Sequence, residues 1–254
     1  MRNAPKLRGL ELIELKSSGV RIVRVLSLFV VALSFMSCGG NSTPEPTATP
    51  VPTPTPVNVE TLLRDAGAAT AALDTFHFLL EHNTGGTPLA PNLTVTEAKG
   101  DVVNPDGIST EFAGTLGAFA VRSSLITLGD ESYMTNPLTG AWESVPKEVS
   151  PLGFFDPQSG IGAMMTQVQN PTLLSSGKDE IRVGGALPVE ALKSLLGDAA
   201  QGTTVDSELT IDARTLFLTE AILRGRVTAT EPDGVVRTIT LSKFNQPLSI
   251  VAPN

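Results

Sequence analysis

Between Thr43 and Pro56 the chain reads TPEPTATPVPTPTP, six prolines in fourteen residues. Proline locks φ and has no amide hydrogen to donate, so this stretch can join neither a helix interior nor a central strand. Extended polyproline-II is the expected form, and at about 3.1 Å per residue it spans roughly 43 Å. Such a stalk divides the chain: residues 1–37 read as a leader, 38–57 as a tether and 58–254 as one domain of ordinary size.

Ahead of the stalk, Val25 to Met36 (VLSLFVVALSFM) is an apolar run preceded by Arg21 and Arg24 and closed by Ser37-Cys38-Gly39-Gly40. A basic start, a greasy middle and small residues at the end make a signal peptide. A run of this length falls well short of the ~20 residues a spanning helix needs. Residues 1–19 mix Glu11 and Glu14 with basic residues. This suggests a mis-assigned start, with initiation nearer Val20.

The end of the run resembles the lipobox of bacterial lipoproteins, with Ser37 and Gly39 in their usual places and Phe35 standing where Leu is usual. The resemblance implies that Cys38 is diacylated and becomes the new N-terminus. Two acyl chains are what stable anchoring takes, since one alone binds membranes marginally. The implied location is the outer face of the cell membrane, lipid-anchored and extracytoplasmic.

From Cys38 onward there are 12 basic and 24 acidic side chains, a net charge near −12. The later cations stand singly (Lys99, Arg122, Lys147, Arg182), without interleaved aromatics. Nucleic-acid binding therefore has no electrostatic basis. Cys38 is the one cysteine, which excludes a disulfide framework and any multi-cysteine metal site.

Within the domain, Asn58 can cap a helix through Ala72, with Val59, Leu62, Leu63, Ala66 and Ala69 at three- and four-residue spacing. Phe76, Phe78 and Leu80 then alternate with His77, Leu79 and Glu81, the period of a strand. Further strands are expected near 92–103, 107–116, 118–128 and 130–135, separated by turns at Asn83 to Pro88, Asn104 to Gly107, Gly129-Asp130 and Asn136 to Gly140. The pattern then changes to helix. Ile161, Met164, Met165 and Val168 recur at helical spacing, and Val189, Leu192, Leu195 and Leu196 mark a second short helix entered through Pro188. Strands return with Leu209, Ile211 and Ala213, and with Ile239 and Leu241. The expected fold is α+β: an antiparallel sheet with one wet face and one face covered by helices.

Four segments carry a resemblance in their order: Thr75-Phe76-His77-Phe78 with Ala98-Lys99-Gly100-Asp101, then Val183 to Leu195 (VGGALPVEALKSL), Asp206 to Asp212 (DSELTID), and Thr238 to Pro253 (TITLSKFNQPLSIVAP). Together they resemble the LppX/LprAFG family of envelope lipoproteins, whose fold is similar to the periplasmic lipoprotein carriers. This chain departs from relatives in lacking a Trp before Ile211 and in its long stalk. The resemblance implies a strongly curved antiparallel half-barrel with helices on its concave face and a hydrophobic cavity between. It implies binding and carriage of a lipid or glycolipid through its acyl chains, and admits an envelope transporter as partner.

The residues are compatible with that cavity: Phe154, Phe155, Ile161, Met164, Met165, Val168, Leu192, Leu195 and Leu196 are the candidate lipid-pocket residues. The bland alternative is a filled core, and a carrier requires several hundred Å³ walled by apolar side chains. A tethered scaffold or sensor that binds a protein partner is the competing function.

Little points to catalysis, cofactor or metal. His77 and His82 are five apart in a strand and face opposite ways, which suggests surface or edge positions without a carboxylate at ligand spacing. There is no G-x-S-x-G elbow and no phosphate-cradling loop. Asp101 to Gly107 lacks the alternating ligands of a calcium loop and reads as a turn.

Overall fold

The computed structural model describes residues 57–105, 107–146, 150, 155–197 and 199–253. Asn58 caps the first helix as its residue type predicts, its side-chain oxygen accepting the Thr61 amide at 2.7 Å. Helix α1 (Val59–Ala71) buries Leu63, Ala66, Gly67 and Thr70. The buried stripe is thus rotated from the one expected, because two small residues, Gly67 and Thr70, replace larger side chains at the contact. Gly67 lies where a methyl group would sit 3.3 Å from the Gly162 carbonyl oxygen of the next long helix. The Thr70 hydroxyl donates to Ala66 O and accepts the Leu218 amide at 2.9 Å, which ties the helix's last turn to the sheet.

Strand β1 (Thr75–His82) follows, then β2 (Thr87–Ala90), β3 (Leu93–Val103), β4 (Gly107–Leu116), β5 (Phe119–Leu128), β6 (Glu131–Thr135) and β7 (Trp142–Pro146). β3 to β7 form a hairpin meander that steps away from β1. Two of its loops have two residues with Gly first and positive φ: Gly117 (+59°) before Ala118 and Gly129 (+59°) before Asp130. That is where a type II′ turn takes glycine.

Helix α2 (Pro157–Thr166) starts with proline in its first turn and is capped by Asp156, which accepts the Ser159 amide. It ends two residues before Val168, which lies in the link to β8 (Gln169–Ser176). Strand β9 (Glu180–Pro188) runs into a 3₁₀ turn (Val189–Leu192) and a single helical turn, α3 (Lys193–Leu196). Strands β10 (Thr204–Asp212), β11 (Leu218–Arg224) and β12 (Val236–Ser242) complete the chain.

All strands pair antiparallel in one sheet of order β7-β6-β5-β4-β3-β1-β12-β11-β10-β9-β8, with β2 on β3. The sheet is open, with β7 and β8 as its edges. The chain meanders from β1 to one edge, passes through α2, starts again at the other edge and returns until β12 pairs β1, with Phe78 opposite Leu241. First and last strands are therefore central neighbours, and residues 54–254 form a compact unit of their own. The main core lies between α1, α2, α3 and the strands β9 to β12 and β1, with Val102 of β3 and Ile108 of β4; a smaller cluster of Leu93, Val95, Phe112 and Leu125 lies under β3 to β5.

The outer face is wet. There Glu208 of β10 is held between Arg182 of β9 and Arg224 of β11. Two sequence expectations are corrected in β1. His77 and His82 are neither free surface nor edge residues, because β1 is paired on both sides. His77 Nδ1 lies 2.8 Å from Asp101 Oδ1, the residue opposite it on β3. A carboxylate remote in sequence becomes a neighbour only through strand register.

Candidate functional site

The helical cover meets the sheet along an apolar seam. Alternation in β1 sends Phe76, Phe78 and Leu80 to the same face, where they meet Leu218 and Ala221 of β11 and Ile239 and Leu241 of β12. From the other side come Phe155, Pro157, Ile161 and Met164, with Leu195 and Leu196 of α3. These groups enclose a cavity of about 70 Å³. A second cavity of about 50 Å³ continues under the meander, walled by Leu89, Val95, Ile108 and Phe112 together with Thr87 and Thr110.

The two cavities share Phe78, Leu80, Phe155, Leu195 and Leu196 as walls. The Phe78 and Phe155 rings are 6.1 Å apart by centroid and tilted by 38°. These two rings and the α3 leucines fill the space that a single larger chamber would occupy. The two cavities fall short of the several hundred Å³ that a carrier requires. The walls carry hydrocarbon almost throughout, so a ligand here gains by burying methylenes rather than by hydrogen bonds, at about 0.8 kcal/mol per methylene.

Of the candidate pocket residues, Phe155, Ile161, Met164, Leu195 and Leu196 line this seam. Met165, Val168 and Leu192 line neither cavity; all are buried in the main core. Met165 and Val168 instead face α1, beside Leu63 and Thr61. Phe154 and Cys38 lie outside the described residues, as do the leader and the stalk. Periodicity alone cannot separate seam from core, because both faces of α2 are covered. The sheet-side walls, above all Phe78, Ile239 and Leu241, belong to the alternating strands already legible in the sequence; what the alternation lacked was the identity of the opposing element.

A polar knot closes the end of the sheet where β1 finishes. Arg237 of β12 pairs with Glu231, both side chains fully buried. Arg237 Nε donates to Thr87 Oγ1 at 3.0 Å and Nη1 to Gly225 O at 3.1 Å, while Glu231 accepts the Val227 and Thr228 amides. His82 joins through Nε2, 2.9 Å from Thr87 Oγ1, and Nδ1, 2.9 Å from Thr96 O. A carbonyl can only accept, so Nδ1 carries the hydrogen and Nε2 accepts from the Thr87 hydroxyl. Burial holds the imidazole below its ordinary value, and the Arg237 charge acts in the same direction, against the Thr96 hydrogen bond and Glu231. The knot is structural: it fastens the loop 225–235 to β1, β2 and β12. Among the described residues no cluster of three or more His, Cys, Asp or Glu is placed to hold a metal ion. No helix among them is long and apolar enough to cross a membrane.

An open antiparallel sheet with helices on one face and an apolar seam between them defines an α+β curved-sheet protein. The chain belongs to the LppX_LprAFG lipoprotein family, whose profile matches residues 58–250. Among solved structures it is similar to LprF from Mycobacterium bovis, at 20% identity and a TM-score of 0.58, covering 77% of this chain and 96% of that one. It is also similar to the Mycobacterium tuberculosis lipoprotein LppX, at 19% identity and a TM-score of 0.51, covering 76% of this chain and 98% of that one. At these identities the likeness is one of fold. No curated protein matches the chain at a significant level.

Proposed function

We propose that this protein is a membrane-anchored carrier that takes acyl chains of a lipid or glycolipid into the seam between its sheet and its helical cover. The observation that carries this reading is the pair of adjoining apolar cavities divided only by side chains. Loading requires Phe155 and the α3 leucines to move away from Phe78. That movement is local, because α3 is one helical turn and Phe155 precedes the Asp156 cap of α2. The closed state keeps the seam out of water when empty, and acyl methylenes replace the side-chain contacts when it fills.

The remaining parts fit a carrier that works at the envelope. Residues 1–37 act as the leader, a diacylated Cys38 as the anchor and residues 39–57 as a stalk of tens of ångströms. The domain of residues 58–254 thus works near the outer face of the membrane, and catalysis has no part in it. Native mass spectrometry of residues 57–254 purified from cells tests the reading. A co-purifying lipid, released on denaturation, is the expected result. A ligand-free domain that also fails to take up added fatty acid or phospholipid would overturn it, and capture of a protein partner instead would favour the scaffold function.

A further inference from the structure

Strand direction sorts the connections into two ends of the sheet. At the end where β1 starts, the described hairpin loops carry charge: Asp130 between β5 and β6, Lys178 and Asp179 between β8 and β9, and Arg214 between β10 and β11. At the other end the β11–β12 loop is also charged, with Arg226 and Asp233 exposed, but three neighbouring hairpins of the meander carry no charge. Residues 83–96 (β2–β3), 112–121 (β4–β5) and 132–142 (β6–β7) contain no Asp, Glu, Lys or Arg, although the folded part is strongly acidic. The β4–β5 and β6–β7 tips expose large apolar side chains: Phe119 is 77% exposed, Leu138 92% and Leu116 43%. Two of the tips are adjacent, since the Gly117 amide at the β4–β5 turn donates to Asn92 O at the β2–β3 turn.

We propose that these three tips form a membrane-docking rim that dips into the interfacial region of a lipid bilayer. Exposed Phe and Leu on charge-free turns gain free energy by entering hydrocarbon, whereas a single charged residue there would oppose it. The point where the tether enters agrees. The C-terminal turn of α1 is bonded to Leu218 at the charged end, and its N-terminal turn lies against Pro171 at the start of β8, towards the apolar end. The start of the domain at Asn58 therefore lies at the same end of the strands as the rim, by the opposite edge of the sheet. The β2–β3 hairpin also supplies Leu89 and Val95 to the wall of the second cavity, so docking brings that wall to the lipid surface. The absence of cations from the rim and the acidic remainder of the domain favour neutral lipid headgroups over anionic ones. The orientation argument rests on the anchor reading; the docking itself does not.

The test uses residues 57–254, a unit that contains the whole sheet and both core clusters, so that neither leader nor lipid anchor contributes. Flotation with phosphatidylcholine vesicles is read alongside the emission of Trp142, the single tryptophan, which begins β7 next to the Leu138 turn. Wild type is expected to float with the vesicles and shift its emission to the blue. The double variant Phe119→Glu/Leu138→Glu is expected to lose about tenfold or more of this partitioning. Both positions are exposed, and an unchanged melting temperature checks the fold. Val251→Glu, at an exposed apolar residue away from the rim, is expected to float as wild type does. Absence of wild-type flotation, equal flotation of the double variant, or an equal loss in Val251→Glu would each overturn the docking rim. Lipid co-purification is scored separately, so a failed rim leaves the carrier reading standing and the reverse.

Discussion

Arg237 of β12 and Glu231, in the loop just before it, form an ion pair whose two side chains are wholly withdrawn from solvent. Withdrawing two charges is costly, and here the cost is offset in part by Thr87 and Gly225 O, which accept from Arg237 Nε and Nη1, and by the Val227 and Thr228 amides, which donate to Glu231 Oε2. Removal of one partner leaves the other buried and uncompensated. Glu231→Ala is expected to destabilise the domain by about 3–5 kcal/mol in denaturant unfolding. Arg182→Ala, at a half-exposed partner of Glu208, is expected to cost less than about 1 kcal/mol. Equal losses would show that the knot has no special weight.

His82 makes the same knot sensitive to pH. Its folded value lies below the ordinary 6.5, with burial the leading cause. The unfolded chain then binds a proton that the folded one refuses, so stability is full above pH 6.5 and falls as pH drops from there toward the folded value. Replacement by Gln is expected to flatten this part of the stability profile. Urea unfolding of both proteins at a series of pH values checks it, and parallel profiles would refute it.

Helices α1 and α2 touch through Gly67 and Gly162. A side chain at Gly67 meets the Gly162 backbone, which cannot swing aside, at 3.3 Å. Gly67→Leu is expected to lower stability by about 1–3 kcal/mol through overpacking, in spite of leucine's better helix propensity. Thermal melting of the variant provides the measurement, and a rise in melting temperature would contradict the crossing described.

Phe155 separates the two apolar cavities. Phe155→Ala is expected to join them, to cost about 2 kcal/mol of stability since the ring is only partly buried, and to strengthen binding of a fluorescent fatty acid. Ala221→Leu, which pushes a larger side chain into the first cavity, is expected to weaken the same binding. Titration of both variants distinguishes a ligand seam from an ordinary core, for which neither change would alter fatty-acid binding.

In the proposed function Cys38 carries the anchor. Cys38→Ser is expected to abolish acyl labelling of the protein in cells, read by mass spectrometry of its N-terminal peptide. An acyl group retained in the variant would place the modification elsewhere.

Local chemistry was enough to determine the Asn58 cap and the strands from 93 to 135, because each depends on residues close in sequence; the proline stalk and the lipobox-like ending at Cys38 are expectations of the same local kind. The family resemblance added the curved sheet and its helical cover. Strands β2, β7, β8, β9 and β11 escaped notice: β2 and β7 are short, and Thr87-Pro88 of β2 fell in an expected turn, while β8 is interrupted by Pro171 and β9 by the Gly184-Gly185 pair, both of which blur alternation. Tertiary structure alone decided which apolar residues face the seam. Met164 lines it and the adjacent Met165 does not, although both obey the same periodicity, because α2 is covered by α1 on one side and by the sheet on the other. It also decided that Arg237 is buried and that His77 meets Asp101. The burial of Arg237 against Thr87 exists only once β12 has returned to β1, and the His77–Asp101 pair only in the β1–β3 register, neither of which a local pattern encodes.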